Sequence, residues 1–133
     1  MNGEITYLTP ERIVELNLFA ITYIKVKKAD SAKLLSYIKL ADATNECQEA
    51  SGDLYDKAVA LMKGIIQKHP FASGNRRTAF IAAKIFLTEN KAKFGIPDDP
   101  SAAKVMQGIR ENYYANEEIK RWLQHGKIRT FVR

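Results

Sequence analysis

Apolar side chains recur every three or four residues along most of this chain, which is the spacing of one face of an α-helix. The first such stretch has a clear beginning. Thr9 is a good N-cap, Pro10 suits the first helical position, and Glu11 favours the positive end of the helix dipole. The inward positions that follow are Ile13, Leu16, Ala20 and Ile24. The pattern therefore predicts an amphipathic helix near the start of the chain.

A second helix is expected after Ser31, which can act as its N-cap. Its apolar positions are Leu34, Leu35, Ile38 and Leu40. Residues 42–52 are rich in Asn, Glu, Gln and Ser and interrupt the apolar pattern. This composition predicts a surface loop, with room for a short hairpin.

The later helices have marked ends. One begins at or near Asn75 and ends by Asn90, another starts near Pro100, and a short last helix starts at Asn116 and stops at Gly126. Counting all segments gives about six helices, with a short strand or hairpin allowed near residues 42–52 or around residues 94–96. The expected fold class is all-α, a single helical bundle in which a loop before Asn75 separates the two central helices.

The helix before that loop carries a histidine at its end. Its apolar stripe consists of Leu54, Ala58, Leu61, Met62 and Ile65, and His69 falls on the same face. A histidine on such a stripe is more often a hydrogen-bonded core residue than a catalyst. The residues that follow it favour the catalytic interpretation.

Those residues read His-Pro-Phe-Ala-Ser-Gly-Asn-Arg-Arg-Thr-Ala-Phe over positions 69–80. A histidine can take up and release a proton near neutral pH. The Gly74-Asn75 turn exposes backbone N–H groups at a helix start, and Arg76 and Arg77 add two guanidinium groups. A base, an N–H cradle and paired cations are the parts that phosphoryl or nucleotidyl transfer requires. The segment therefore predicts an anion site beside a catalytic base.

Composition limits the class of protein. The 133 residues suffice for one domain, residues 1–133, and with 46% apolar and 27% charged residues the chain is typical of soluble globular proteins. No stretch is long and apolar enough for a membrane span, and the first residues lack a signal-peptide layout. Cys47 is the only cysteine, which excludes an internal disulfide and favours a cytoplasmic location.

The net charge of +6 favours anionic partners such as a nucleotide, a nucleic acid or an acidic protein. A nucleic-acid-binding domain is the weaker alternative, because the sequence shows neither a helix-turn-helix pattern nor zinc-ligand spacing. The basic tail, residues 127–133, is open to three interpretations: a disordered end, a docked segment or a partner contact.

Residues 69–80 resemble the motif of the Fic/Doc family, which reads H-x-F-x-[D/E]-G-N-G-R-x-x-R. The Doc (death-on-curing) branch usually has Lys-Arg-Thr-Ala after the Asn, and this chain has Arg-Arg-Thr-Ala at residues 76–79. The opening at residues 7–11 and the helices around residues 53–60 and 85–90 also look like Doc segments. The resemblance covers about half of the chain and is closest to the Doc branch.

The resemblance implies a transferase that moves phosphate, or AMP in the AMPylating Fic branch, from ATP to a hydroxyl of a target protein. His69 would be the catalytic base. Gly74, Asn75 and the following N–H groups would hold phosphate oxygens, and Arg77 would bind the nucleotide phosphates. Arg76 stands where Doc has lysine, which favours the Doc mode of nucleotide placement. The family also implies Mg²⁺ as cofactor and a flap that clamps the target, for which residues 42–52 are the candidate.

Two positions depart from the family motif. Ser73 stands where the family has the Asp or Glu that holds Mg²⁺, and a neutral hydroxyl is a much poorer magnesium ligand than a carboxylate. Phe80 replaces the second Fic arginine, as in Doc proteins. Mg-ATP binding is therefore expected to be weak unless another carboxylate, such as Asp42 or Glu49, reaches the metal. The alternative function is a catalytically inactive Fic-fold protein that binds a nucleotide or another anion.

The inhibitory pattern [S/T]-x-x-x-E-[G/N] of many Fic proteins does not occur in this sequence. An active toxin would then be controlled by a separate antitoxin chain, as the resemblance to the Doc branch implies.

Overall fold

Six helices make up most of the computed structural model, which describes residues 4–24 and 30–133. The helices are α1 (Pro10–Tyr23), α2 (Tyr37–Glu49), α3 (Leu54–Lys68), α4 (Asn75–Glu89), α5 (Ser101–Arg110) and α6 (Asn116–His125). Within the described residues there is no sheet, only an isolated antiparallel bridge between Leu34 and Phe71. The predicted all-α class with six helices is confirmed.

Helix α3 lies at the centre of the bundle and packs against α2, α4, α5 and α6. It begins at a capping box in which Asp53 accepts hydrogen bonds from the helix and the Asp56 carboxylate accepts the Asp53 N–H. Its inward face is the one that the sequence predicts: Ala58, Leu61, Met62 and Ile65 are fully buried. The stripe therefore forms the core that fixes the position of the chain after residue 68.

Helix α2 corrects two predictions. Its N-cap is Ser36, whose side chain accepts from the Lys39 N–H, and Ser31 caps no helix. Residues 42–49 are helical, so the loop or flap predicted over residues 42–52 is wrong. The inward residues of this segment are small or polar, and Ala43 lies directly over Gly64 of α3, where a Cβ would come within 2.9 Å of the Ala43 Cβ. Close backbone packing, which the sequence pattern does not display, holds this polar helix in place.

The C-terminal tail is docked against the bundle, which selects one of the three interpretations left open by the sequence. Phe131 is buried, and its ring meets that of Tyr113 edge to face at 5.0 Å. Arg129 bonds Glu118 and the Tyr113 carbonyl, and its guanidinium lies 4.1 Å from the Tyr113 ring centre. The tail therefore braces the segment between α5 and α6.

Cys47 is buried in the core, and this burial raises the pKa of its thiol to about 12.

None of the described helices has the length and hydrophobicity needed to cross a bilayer. Large apolar side chains are exposed on the second half of α1 and around the start of α2: Leu18, Phe19, Tyr23, Ile24, Leu35, Tyr37 and Ile38.

Candidate active site

The loop between α3 and α4 turns on two left-handed residues. His69 ends α3 with φ 53°, and Gly74 precedes α4 with φ 76°. A non-glycine residue in this conformation is uncommon, and such strain is often found at functional sites. At Gly74 a Cβ would lie 2.8 Å from the Ile21 Cδ1 of α1, which is the end of a flexible side chain, so the left-handed backbone angle is the main reason for glycine here.

Asn75 holds this loop together from the inside. Its Oδ1 accepts the Phe71 N–H at 3.0 Å, and its Nδ2 donates to the Phe71 carbonyl at 2.9 Å. The same Nδ2 lies 3.1 Å from the Nδ1 of His69. The two bonds to Phe71 orient the amide, so the group facing the imidazole is a donor and Nδ1 is the acceptor. The neutral His69 ring then carries its hydrogen on Nε2.

A second buried amide supports the loop from α1. Asn17 is 2% exposed, and its Nδ2 donates to the Ser73 carbonyl at 2.9 Å and to the Thr78 Oγ1 at 3.0 Å. Sequence reasoning missed this residue. The available signal was a polar side chain four residues after Ile13 and three before Ala20, on the face that α1 buries.

The predicted site residues meet in one cavity of about 840 Å³. The His69 side chain is exposed, and the first turn of α4 has no side-chain cap among the described residues, so its N–H groups stay available to a ligand. Helix α5 also contributes to the lining. The lining includes His69, Ser73, Gly74, Asn75, Arg76 and Arg77 from the motif, Lys104, Gln107 and Arg110 from α5, and Asp30.

Arg77 lines the cavity but is already bonded to protein. Its Nη2 is 3.0 Å from the Asp30 carboxylate, and its Nη1 donates to the Ile24 carbonyl at 2.6 Å. The Asp30 side chain is only 7% exposed, so solvent screens this ion pair weakly. An anion that uses Arg77 must compete with Asp30. The sequence offered no signal for this pair, because 47 positions separate the two residues.

Arg76 has no ion pair with any described residue, and it faces other cations. Partial burial lowers its pKa, and the positive charges of Arg110 and Arg77 lower it further. Arg110 therefore lies close enough to Arg76 for mutual repulsion. Sequence reasoning did not include Arg110, which lies 34 residues from Arg76 in the chain.

Position 73 does not suit a magnesium ion. The Ser73 Oγ accepts the Ser31 N–H at 3.2 Å, and the one carboxylate that lines the cavity, among described residues, is the Asp30 paired with Arg77. Neither Asp42 nor Glu49, the alternatives considered from sequence, lines the cavity. The described part of the chain contains no cluster of three or more His, Cys, Asp or Glu side chains suited to a metal. The residues present therefore do not fit the family's magnesium site.

Two comparisons with known proteins bear on the family of this chain. A search of curated proteins finds no matching relative. The family model described as Fic/DOC family matches residues 7–87, which is more than half of the 133 residues and includes α1 to most of α4. The cavity loop lies wholly inside the matched segment. The chain therefore belongs to the Fic/DOC family.

Proposed function

We propose that the protein is a Doc-type transferase that moves a phosphate, or AMP, from ATP to a hydroxyl of a target protein. Membership of the family implies activity of the AMPylation or phosphotransfer type on protein targets. The Doc assignment is supported by Arg76, a large cation at the position where the Fic motif has glycine, and by Phe80 in place of the second Fic arginine.

One observation carries the proposal. The exposed His69 ring, the uncapped N-terminus of α4 and the arginines of the motif line the same cavity. Phosphoryl transfer requires positioning and stabilisation of negative charge more than covalent help from the protein. Buried hydrogen bonds from Asn75 and Asn17 fix the shape of the loop, so the protein itself positions the N–H groups at the start of α4.

In this proposal His69 takes the proton of the acceptor hydroxyl, whose oxygen bonds to the transferred phosphorus and displaces ADP, or pyrophosphate where AMP is transferred. The N–H groups that follow Gly74 hold phosphate oxygens, and Arg76 and Arg77 balance the charge of the phosphates. Because Nε2 carries the hydrogen in the free protein, the ring must change tautomer, which breaks the contact between Nδ1 and the Asn75 amide, before Nε2 can act as a base. Ser73 contributes no charge, so no step of the proposal passes through a metal ion.

The acceptor in this proposal is a protein, and the surface beside the cavity supports that choice. Ile24 both lines the cavity and is exposed, and Leu35 and Ile38 are exposed near the motif loop, where the Leu35 N–H bonds the Pro70 carbonyl. Exposed apolar groups of this kind mark protein interaction surfaces. A separate antitoxin chain is the inhibitor that this proposal includes.

Transfer from labelled ATP tests the proposal. The purified protein is incubated with a cell lysate and either α- or γ-labelled ATP, and labelled proteins are resolved by mass. Label from the γ position alone identifies phosphate transfer, and label from the α position identifies AMP transfer. His69→Ala should lower the rate by about 100-fold or more while the fold stays intact. Gln124→Ala, a substitution away from the cavity, serves as the control.

The second candidate is a nucleotide-binding protein without transferase activity. It is favoured by Ser73 and by the ion pair that occupies Arg77. ATP binding with no transfer of either label, under conditions where His69→Ala binds ATP as well as the wild type, would select this candidate over the transferase.

A further inference from the structure

Helix α5 contributes to the cavity although it lies outside the segment shared with the family. The family match ends at residue 87, and α5 spans Ser101–Arg110. Lys104, Gln107 and Arg110 nevertheless line the cavity together with the motif loop. Part of the cavity lining therefore lies outside the matched segment.

Positively charged side chains outnumber carboxylates in the described lining of the cavity. Arg76, Arg77, Lys104 and Arg110 all line it, and Asp30 is the one carboxylate lining it among the described residues. Asp30 pairs with Arg77, and neither Arg76 nor Arg110 forms an ion pair with a described residue. Arg76 and Arg110 therefore place two positive charges on the same cavity, and both would attract an anion bound there.

We propose that Arg110, together with Arg76, forms a second anion subsite, so that the cavity holds the polyphosphate of a nucleoside triphosphate at two points without a divalent cation. The first point is the start of α4 with Arg77, and the second is Arg110 of α5 with Arg76. This inference rests on the proposed function for the choice of a nucleotide as ligand.

The absence of a suitable magnesium ligand supports the same arrangement. A magnesium ion on a nucleotide neutralises neighbouring phosphates and is normally held by one or two carboxylates. Ser73 cannot supply that charge, and Asp30 is engaged with Arg77. Guanidinium groups bind phosphate oxygens through paired hydrogen bonds and stay charged at any physiological pH. Arg76 and Arg110 can therefore neutralise the negative charge of the phosphates in place of a magnesium ion. A volume of about 840 Å³ leaves room for a whole nucleotide.

Nucleotide binding by four proteins tests the subsite. The wild type, Arg110→Gln, Arg110→Lys and Arg121→Gln are titrated with fluorescent ATP and AMP analogues, each in EDTA and in excess magnesium. Arg121 is an exposed arginine of α6 that does not line the cavity, so its substitution removes the same charge elsewhere. Circular dichroism and the thermal midpoint of each variant establish that it is folded.

The wild type should bind the ATP analogue about equally in EDTA and in magnesium. Arg110→Gln should weaken ATP binding by about 10-fold or more, the value of a charge-assisted hydrogen bond, and should affect AMP less. Arg110→Lys keeps the charge but loses the paired geometry, so its affinity should be intermediate. Arg121→Gln should change the affinity by about twofold at most.

Three outcomes of these titrations would contradict the proposal in different ways. Equal ATP affinities for Arg110→Gln and Arg121→Gln would overturn the subsite and leave the transferase proposal intact. Binding that requires magnesium in the wild type would overturn the metal-free arrangement. A wild type that binds ATP in neither condition would overturn this inference and the choice of ATP as donor together.

Discussion

At the scale of single residues, Ser73 is the departure with the clearest consequence. An aspartate there would add a second carboxylate to the cavity that Asp30 also lines. We expect Ser73→Asp to make ATP binding magnesium-dependent, with on the order of a tenfold gain in affinity on adding the metal. It should also raise transfer to a protein target. The measurement is a magnesium titration of nucleotide binding.

The matched control for this substitution is Ser51→Asp, which adds the same charge at an exposed position outside the cavity. Ser73→Asp and the wild type with identical magnesium dependence would contradict the view that Ser73 weakens the metal site.

The tautomer of His69 is a second prediction at this scale. Because the Asn75 amide is oriented by Phe71 and presents a donor, the imidazole of the free protein should carry its hydrogen on Nε2. Nitrogen-15 shifts of the ring measured well above the titration range of histidine would report it. The chain has only one other histidine, His125 at the end of α6, which is the internal reference. A hydrogen found on Nδ1 would show that the amide does not donate to the ring.

The sequence identifies the site residues that are neighbours in the chain and misses those that are far apart in it. Residues 69–77 are contiguous, so their chemistry is visible in a short motif. Asp30 and Arg110 reach the same cavity from two other parts of the chain, and Asn17 supports the loop from a third. Only the fold brings them together, and a single sequence does not contain that information. Of these three residues, only Asn17 is indicated by the sequence pattern, because it is a polar residue on the apolar face of α1.

At the scale of elements, helices with strong caps and large apolar stripes were predictable. Helix α3 has both, and helix α6 begins at Asn116 and stops at Gly126 as expected. Helix α2 was misjudged because its inward side chains, apart from Leu40, are small or polar. Its position depends on the close contact with Gly64, and this contact is tertiary rather than local.

That contact leads to a prediction in which two effects oppose each other. Alanine at position 64 would favour the helical conformation of α3 by about 1 kcal/mol. Its Cβ would lie 2.9 Å from the Ala43 Cβ and 3.1 Å from the Ala43 Cα, a clash with rigid groups. Overpacking of this kind costs about 1–3 kcal/mol. We therefore expect Gly64→Ala to be net destabilising in urea unfolding.

The double variant Ala43→Gly with Gly64→Ala isolates the clash, since it removes the opposing methyl group. Its stability should exceed the value expected from adding the two single effects. Additive effects would mean that α2 and α3 move apart without loss of stability, and that no clash with Ala43 destabilises Gly64→Ala.

At the scale of the whole molecule, the docked tail makes stability depend on acidity. The Arg129 side chain, followed by the Ala115 N–H, lowers the pKa of Glu118 from 4.5 to about 2. A carboxyl with a lowered folded pKa stabilises the fold above its unfolded pKa, and the contribution disappears as the pH falls through the folded value. We expect the thermal midpoint to fall between about pH 4.5 and about pH 2 as this contact is lost.

Glu118→Gln should flatten that part of the pH profile, because the substituted side chain no longer ionises. Glu117→Gln, at the neighbouring position of the same helix turn, is the control and should keep the wild-type slope. Identical profiles for the wild type and Glu118→Gln would assign the acid sensitivity to other carboxyl groups.

The pairing of Asp30 with Arg77 also implies an unusual response to ionic strength. A nucleotide gains full access to Arg77 only in the fraction of molecules in which the Asp30 contact has opened, so the apparent affinity scales with that fraction. Added salt weakens the attraction between a polyanion and a chain of net charge +6. It has little effect on the Asp30–Arg77 pair, because the Asp30 side chain is only 7% exposed. Since Asp30 already neutralises Arg77, nucleotide affinity should decline less steeply with added salt than the number of cavity arginines suggests.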